Sequence, residues 1–151
     1  MPDFDLPSAH KYFSAACFNA CWDLIDKPSR TSEEDEHMLQ LTFASHYHWT
    51  QRPDYTPTNA SIAYWQIARV YALLGQAANA IHYGDVCLQV SMHSSVGPFY
   101  RAYAHEALAR AYGLVGDASL KELHLSAAYE LVEQVPDVED RAPLLADLQT
   151  V

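Results

Sequence analysis

Apolar residues along the chain recur at three- and four-residue intervals, and strict alternation is nearly absent. That is the period of an amphipathic helix, not of a half-buried strand. Phe13, Ala16, Cys17, Ala20 and Leu24 fall on one stripe and predict a helix over about 8–26, ended by "DKPSRTS". Thr31 and Glu34 have capping-box spacing, and "EEDE" places acid at the positive end of a second helix that stops before Pro53. A third helix is expected from near Thr58 or Asn59 to Gly75, and a fourth over about 77–93. After the break at "SSVGP", Pro98 suits the first turn of a fifth helix that ends at Gly116. Asp117 is placed to cap a sixth, and a short seventh covers about 139–149 with Pro143 near its first turn. The expectation is one all-α domain over 1–151. It holds three stacked antiparallel helical hairpins, at about 8–52, 58–94 and 98–135, and a capping helix at about 138–149.

Two segments repeat each other. "AYWQIARVYALLGQAANAIHYGDVCL" and "AHEALARAYGLVGDASLKELHLSAAY" share A-R-x-Y-x-L-x-G. Ala68/Ala109, Arg69/Arg110, Tyr71/Tyr112, Leu73/Leu114 and Gly75/Gly116 each stand 41 residues apart. The small residue admits a neighbouring helix, the tyrosine fills space between hairpins, and the glycine suits the left-handed turn that ends a helix.

The pattern resembles the tetratricopeptide repeat. Tyr64, Ile67, Ala68 and Tyr71, then Gly75, Ala80 and Cys87, match it in one repeat. His105, Leu108, Ala109 and Tyr112, then Gly116 and Ala128, match it in the next. Lys121 stands where that family has alanine, and Gly84 where an aromatic is usual. The 41-residue spacing exceeds the family's period of about 34. The opening "FNACWDLID" also resembles small bacterial proteins with similar repeats, a likeness that brings no activity with it.

Composition narrows the partners. Nine Lys and Arg stand against 19 Asp and Glu, a formal charge of −10. Such a surface repels phosphate backbones and anionic lipid, so nucleic acid and membrane are not expected partners. "MPDFDLPSAHKYF" lacks the basic start and apolar run of a signal peptide. Three cysteines suggest no disulfide framework. Cys17 and Cys21, four apart on a helix, have Cβ atoms about 5–6 Å apart, beyond the roughly 4 Å a disulfide requires. A cytoplasmic protein with free thiols and no cofactor is expected.

Candidate chemistry is sparse. His46 and His48 stand two apart as His-x-His. Placed on a helix, residues two apart do not face each other, so packing or hydrogen bonding is the expectation for both. No H-E-x-x-H, G-x-S-x-G, G-x4-G-K-[ST] or G-x-G-x-x-G occurs, and no metal site is expected.

The family resemblance implies a groove lined by the first helix of each hairpin. Carried across, its residues are Ile62, Trp65 and Arg69 in one repeat and Tyr103, Glu106 and Arg110 in the next, with Gln66 beside them. Trp and Arg together are typical of a binding hot spot. The arginines either grip a ligand carboxylate or carbonyl, or pair with Glu106 or Asp23 to hold adjacent hairpins. Asn19, Trp22 and Asp23 on the first helix are the next candidates, and Asn19 and Asp23 share a face that forms a further candidate cluster with Arg69. The expected function is a non-enzymatic module binding a protein or peptide along this face. The alternatives are a small-molecule or metal-dependent enzyme using His46 or His48 with Asn19, Asp23 and Arg69, and a homodimeric structural protein.

Overall fold

The computed structural model describes residues 3–151. Among the described residues there are seven helices and no strand. They are α1 (Leu6–Ile25), α2 (Ser32–Thr50), α3 (Pro57–Leu73), α4 (Ala77–Ser91), α5 (Pro98–Leu114), α6 (Ala118–Val132) and α7 (Val138–Leu148). None is long and apolar enough to cross a membrane. α1 packs on α2, α3 on α4 and α5 on α6, giving the three expected hairpins. α2 also packs on α3, and α4 on α5, so each hairpin leans on the next. α3 touches α5 directly, and α7 closes the stack against α5 and α6.

Local chemistry sets the helix ends. The Thr31 hydroxyl accepts the Glu34 N–H, and the Glu34 carboxylate accepts the Thr31 N–H. Thr56 and Asn59 build the same reciprocal cap on α3, which therefore starts at Pro57, a residue earlier than its sequence suggests. Gly75 and Gly116 adopt φ of 70° and 72°, the left-handed conformation expected of them. In both, the following N–H reaches back to the repeat tyrosine: Gln76 to the Tyr71 carbonyl at 2.9 Å, and Asp117 to the Tyr112 carbonyl at 3.1 Å. Each helix ends in the same Schellman turn. A second difference is at α7, which begins at Val138 and holds Pro143 inside the helix rather than in its first turn.

The departures from the family pattern have packing reasons. A Cβ on Gly84 would lie 2.8 Å from Leu108 Cδ2, and Leu108 is fully buried. The missing side chain is what lets α4 lie against α5. Lys121 lays its stem beside Gly113, where a Cβ would meet Lys121 Cδ at 3.6 Å. In the earlier repeat the equivalent residues are Ala72 and Ala80, with Ala80 fully buried. The larger lysine is thus accommodated where its neighbour is smaller.

Two apolar clusters anchor the ends of the stack. Cys21, Ile25, Met38 and Val70 join α1, α2 and α3. Ala102, Ala128, Val132, Val135, Leu144 and Leu148 join α5, α6 and α7. Burying Leu144 and Leu148 contributes about 2 kcal/mol each, which holds α7 in place.

Candidate functional site

α1, α3 and α5 each contribute aromatic side chains to one cleft. Phe18 and Trp22 come from α1, Ile62 and Trp65 from α3, and Phe99, Tyr100 and Tyr103 from α5. Ser61 and Asp147 complete the wall, and the cavity volume is about 250 Å³. The rings form a continuous chain. Trp22 stacks on Trp65 with centroids 5.5 Å apart, and Tyr103 meets Trp65 edge-on at 5.5 Å. Phe99 meets Tyr103 at 5.1 Å. Edge-to-face and offset pairs of this kind add about 1 kcal/mol each beyond area burial, so the walls are held without a ligand.

The polar hydrogens of the two central rings go to carboxylates. Trp65 Nε1 donates to Glu106 Oε2 at 2.8 Å, and Tyr103 Oη donates to Asp147 Oδ2 at 2.7 Å. Burial raises the Tyr103 phenol above its usual pKa, and its bond to the Asp147 carboxylate raises it further. It therefore stays protonated and keeps donating.

Glu106 is the hub beneath the cleft. Its side chain is only 1% exposed, yet both oxygens are satisfied, since Arg110 Nε donates to Oε1 at 2.7 Å. Arg110 also reaches α7, donating to the Asp147 carbonyl at 3.2 Å and the Thr150 hydroxyl at 2.8 Å. Glu106 is therefore buried away from the groove, which corrects its place among the groove-facing residues, and Arg110 makes the inter-residue pairing that stood as one of its two alternatives. A buried carboxylate flanked by an indole and a guanidinium is bound in a lattice, not open to a ligand.

Arg69 differs. Five of the six arginines hydrogen-bond a carboxylate, a carbonyl or a hydroxyl. Arg69 makes no hydrogen bond or ion pair among the described residues, although it is half-buried. Burial and then the nearby Arg110 charge press its pKa below the usual arginine value, with Glu106 and Asp147 opposing. At this position arginine remains charged at neutral pH.

Other candidates lie elsewhere. Gln66 is 1% exposed and does not face the groove. It accepts from Thr42 Oγ1 at 2.8 Å and donates to the Phe18 carbonyl at 3.3 Å, tying α3 to α2 and α1. Its position follows Trp65 by 100° around the helix, which turns it inward. Asn19 and Asp23 are exposed, so they do not form a buried polar cluster with Arg69. Asn19 instead borders a second cleft of about 200 Å³ between α1, α2 and α3, with Asn59 and Trp49. His46 Nε2 lies 3.0 Å from the Tyr55 hydroxyl, and its ring sits edge-on to Tyr64. His48 Nδ1 is 2.8 Å from His10 Nδ1. Neither histidine joins Asn19, Asp23 or Arg69.

The thiols are free. Burial pushes Cys21 and Cys87 up to about 12, so both stay protonated.

Phe18, Phe99, Tyr100 and Asp147 were not singled out by sequence reasoning. Phe18 and Trp22 are four apart, as are Phe99 and Tyr103, and that spacing marks a shared helix face. Asp147 carries no such signal, because α7 lies outside the repeat. Comparison of the chain with family models, curated proteins and solved structures finds no match.

Proposed function

We propose that this protein is a non-enzymatic interaction module of divergent tetratricopeptide type. It binds a peptide or protein segment along the face formed by α1, α3 and α5. The observation that carries this reading is the aromatic cleft, to which three hairpins contribute, with Arg69 unpaired one helical turn from Trp65. The cleft is smaller than the roughly 300 Å³ at which drug-sized pockets begin. It suits one anchoring side chain, while Arg69 takes a carbonyl or carboxylate of the same segment. Free thiols fit a reducing cytoplasm.

The test is retention of peptides from an immobilised library by wild type, Trp22→Leu and Arg69→Gln, with helix content checked by circular dichroism. Both variants should stay folded and lose the retained peptides. Unchanged retention by both excludes this face as the site. A second reading, a homodimer, is favoured by Tyr12, Phe13 and Tyr47, which are 67%, 44% and 58% exposed on α1 and α2. A monomeric molar mass in solution at high concentration would remove it.

A further inference from the structure

We propose that the aromatic cleft is a receptor for a quaternary ammonium group. The inference rests on the reading of this face as a binding surface and names the chemistry of its anchor. Three observations carry it. First, the lining is six aromatic rings, one isoleucine, one serine and a single carboxylate, Asp147. A primary ammonium or a guanidinium entering it finds one carboxylate and a few hydroxyls for three to five N–H donors, so part of its desolvation cost goes unrecovered. A quaternary ammonium has no N–H to satisfy, and its methyl groups pack against ring faces.

Second, the rings are polarised in the sense a cation needs. The Trp65 indole N–H donates to Glu106 and the Tyr103 hydroxyl to Asp147, so each ring leans electron density toward its π face. A neutral apolar group gains nothing from this. Third, the charge is complementary. Asp147 is the one carboxylate of the wall, and the chain as a whole carries −10, which draws cations toward it. Arg110 is paired with Glu106, and Arg69, which does not line the cleft, lies near enough to Asp147 to offset part of its charge.

The experiment titrates wild-type protein with choline, with N-acetyl trimethyllysine amide, and with the neutral carbon analogue of choline, reading tryptophan fluorescence and calorimetric heat. Choline and the lysine derivative should bind saturably, and at least about tenfold more tightly than the carbon analogue. If the lysine derivative alone exceeds the analogue, the natural source is a methylated side chain. If choline alone does, it is a free small cation. Asp147→Asn keeps an acceptor for Tyr103 and removes the charge. It should weaken the cations severalfold and leave the carbon analogue unchanged. Equal binding of cation and neutral analogue, or no saturable cation binding, overturns the proposal. If peptides are still retained through neutral anchors, the interaction reading survives that result. If cations bind and no peptide does, the interaction reading falls and the cleft chemistry stands.

Discussion

Arg69 and Arg110 hold the same place in successive repeats, yet one is free and the other is locked. The difference lies four residues earlier. Glu106 precedes Arg110 by one helical turn and pairs with it, while the equivalent position before Arg69 is Trp65. Trp65 also reaches across to the very glutamate that replaces it in the next repeat. One substitution within the repeat frame thus releases an arginine, supplies an aromatic wall and satisfies a buried carboxylate. A second contrast follows the same frame. Tyr64 and Tyr83 in one repeat become His105 and His124 in the next. Tyr83 stacks on Tyr71 with rings 8° apart, and His124 stacks on Tyr112 with rings 3° apart. The stacking geometry is kept while the phenol rings become imidazoles.

The largest expected effect comes from removing the hub. Glu106→Ala leaves the Trp65 indole N–H and the Arg110 guanidinium without their acceptor in a buried place. It should cost about 3 kcal/mol in urea unfolding. The same variant leaves Arg110 held only by the Asp147 carbonyl and the Thr150 hydroxyl, which narrows the contrast with Arg69.

Acid should destabilise the repeat that carries the histidines. Burial, and then its neighbour His124, press His105 down to about 4. Burial also lowers His124, against an opposing pull from Asp85. An unfolded histidine titrates near pH 6.5. Below that pH the unfolded chain binds more protons than the folded one, so stability falls as pH drops from 6.5 toward 4. Thermal melts across that range should show the loss. The double variant His105→Tyr with His124→Tyr, which copies the earlier repeat, should flatten the part of it due to this pair. His46 and His48, also lowered by burial, leave a remainder.

Glycine substitutions should have opposite signs. Gly84→Ala drives a methyl into fully buried Leu108 and should lose about 1 kcal/mol, after the helix-propensity gain of alanine. Gly113→Ala meets Lys121 at ordinary contact distance and copies Ala72, so it should gain about 0.5 kcal/mol. Equal losses at both positions would mean that close approach of α4 to α5 is not what Gly84 provides.

The fold was legible because its signals are local. Helical spacing, Thr31 with Glu34, and the repeated Gly75 and Gly116 fix hairpins without knowledge of neighbours. The site was only half legible. Trp65 and Tyr103, which line the cleft, followed from the repeat frame, while Arg69 lies outside its lining. Gln66 and Glu106 misled because a polar side chain at a helix surface reads the same whether it meets water or a buried partner. Whether Arg110 binds or braces depended on Asp147 and Thr150, which sit about 40 residues away on a helix outside the repeat. Such tertiary polar contacts leave no periodic trace.

We propose that Arg69 is held for a ligand, while Arg110 braces α5 against α7. Arg69→Gln breaks no hydrogen bond or ion pair among the described residues and should shift stability by under about 0.5 kcal/mol. The direct measurement is peptide retention by Arg69→Gln alongside its melting temperature. A wild-type melt with peptide retention lost agrees with the account. A lowered melting temperature with retention intact would contradict it.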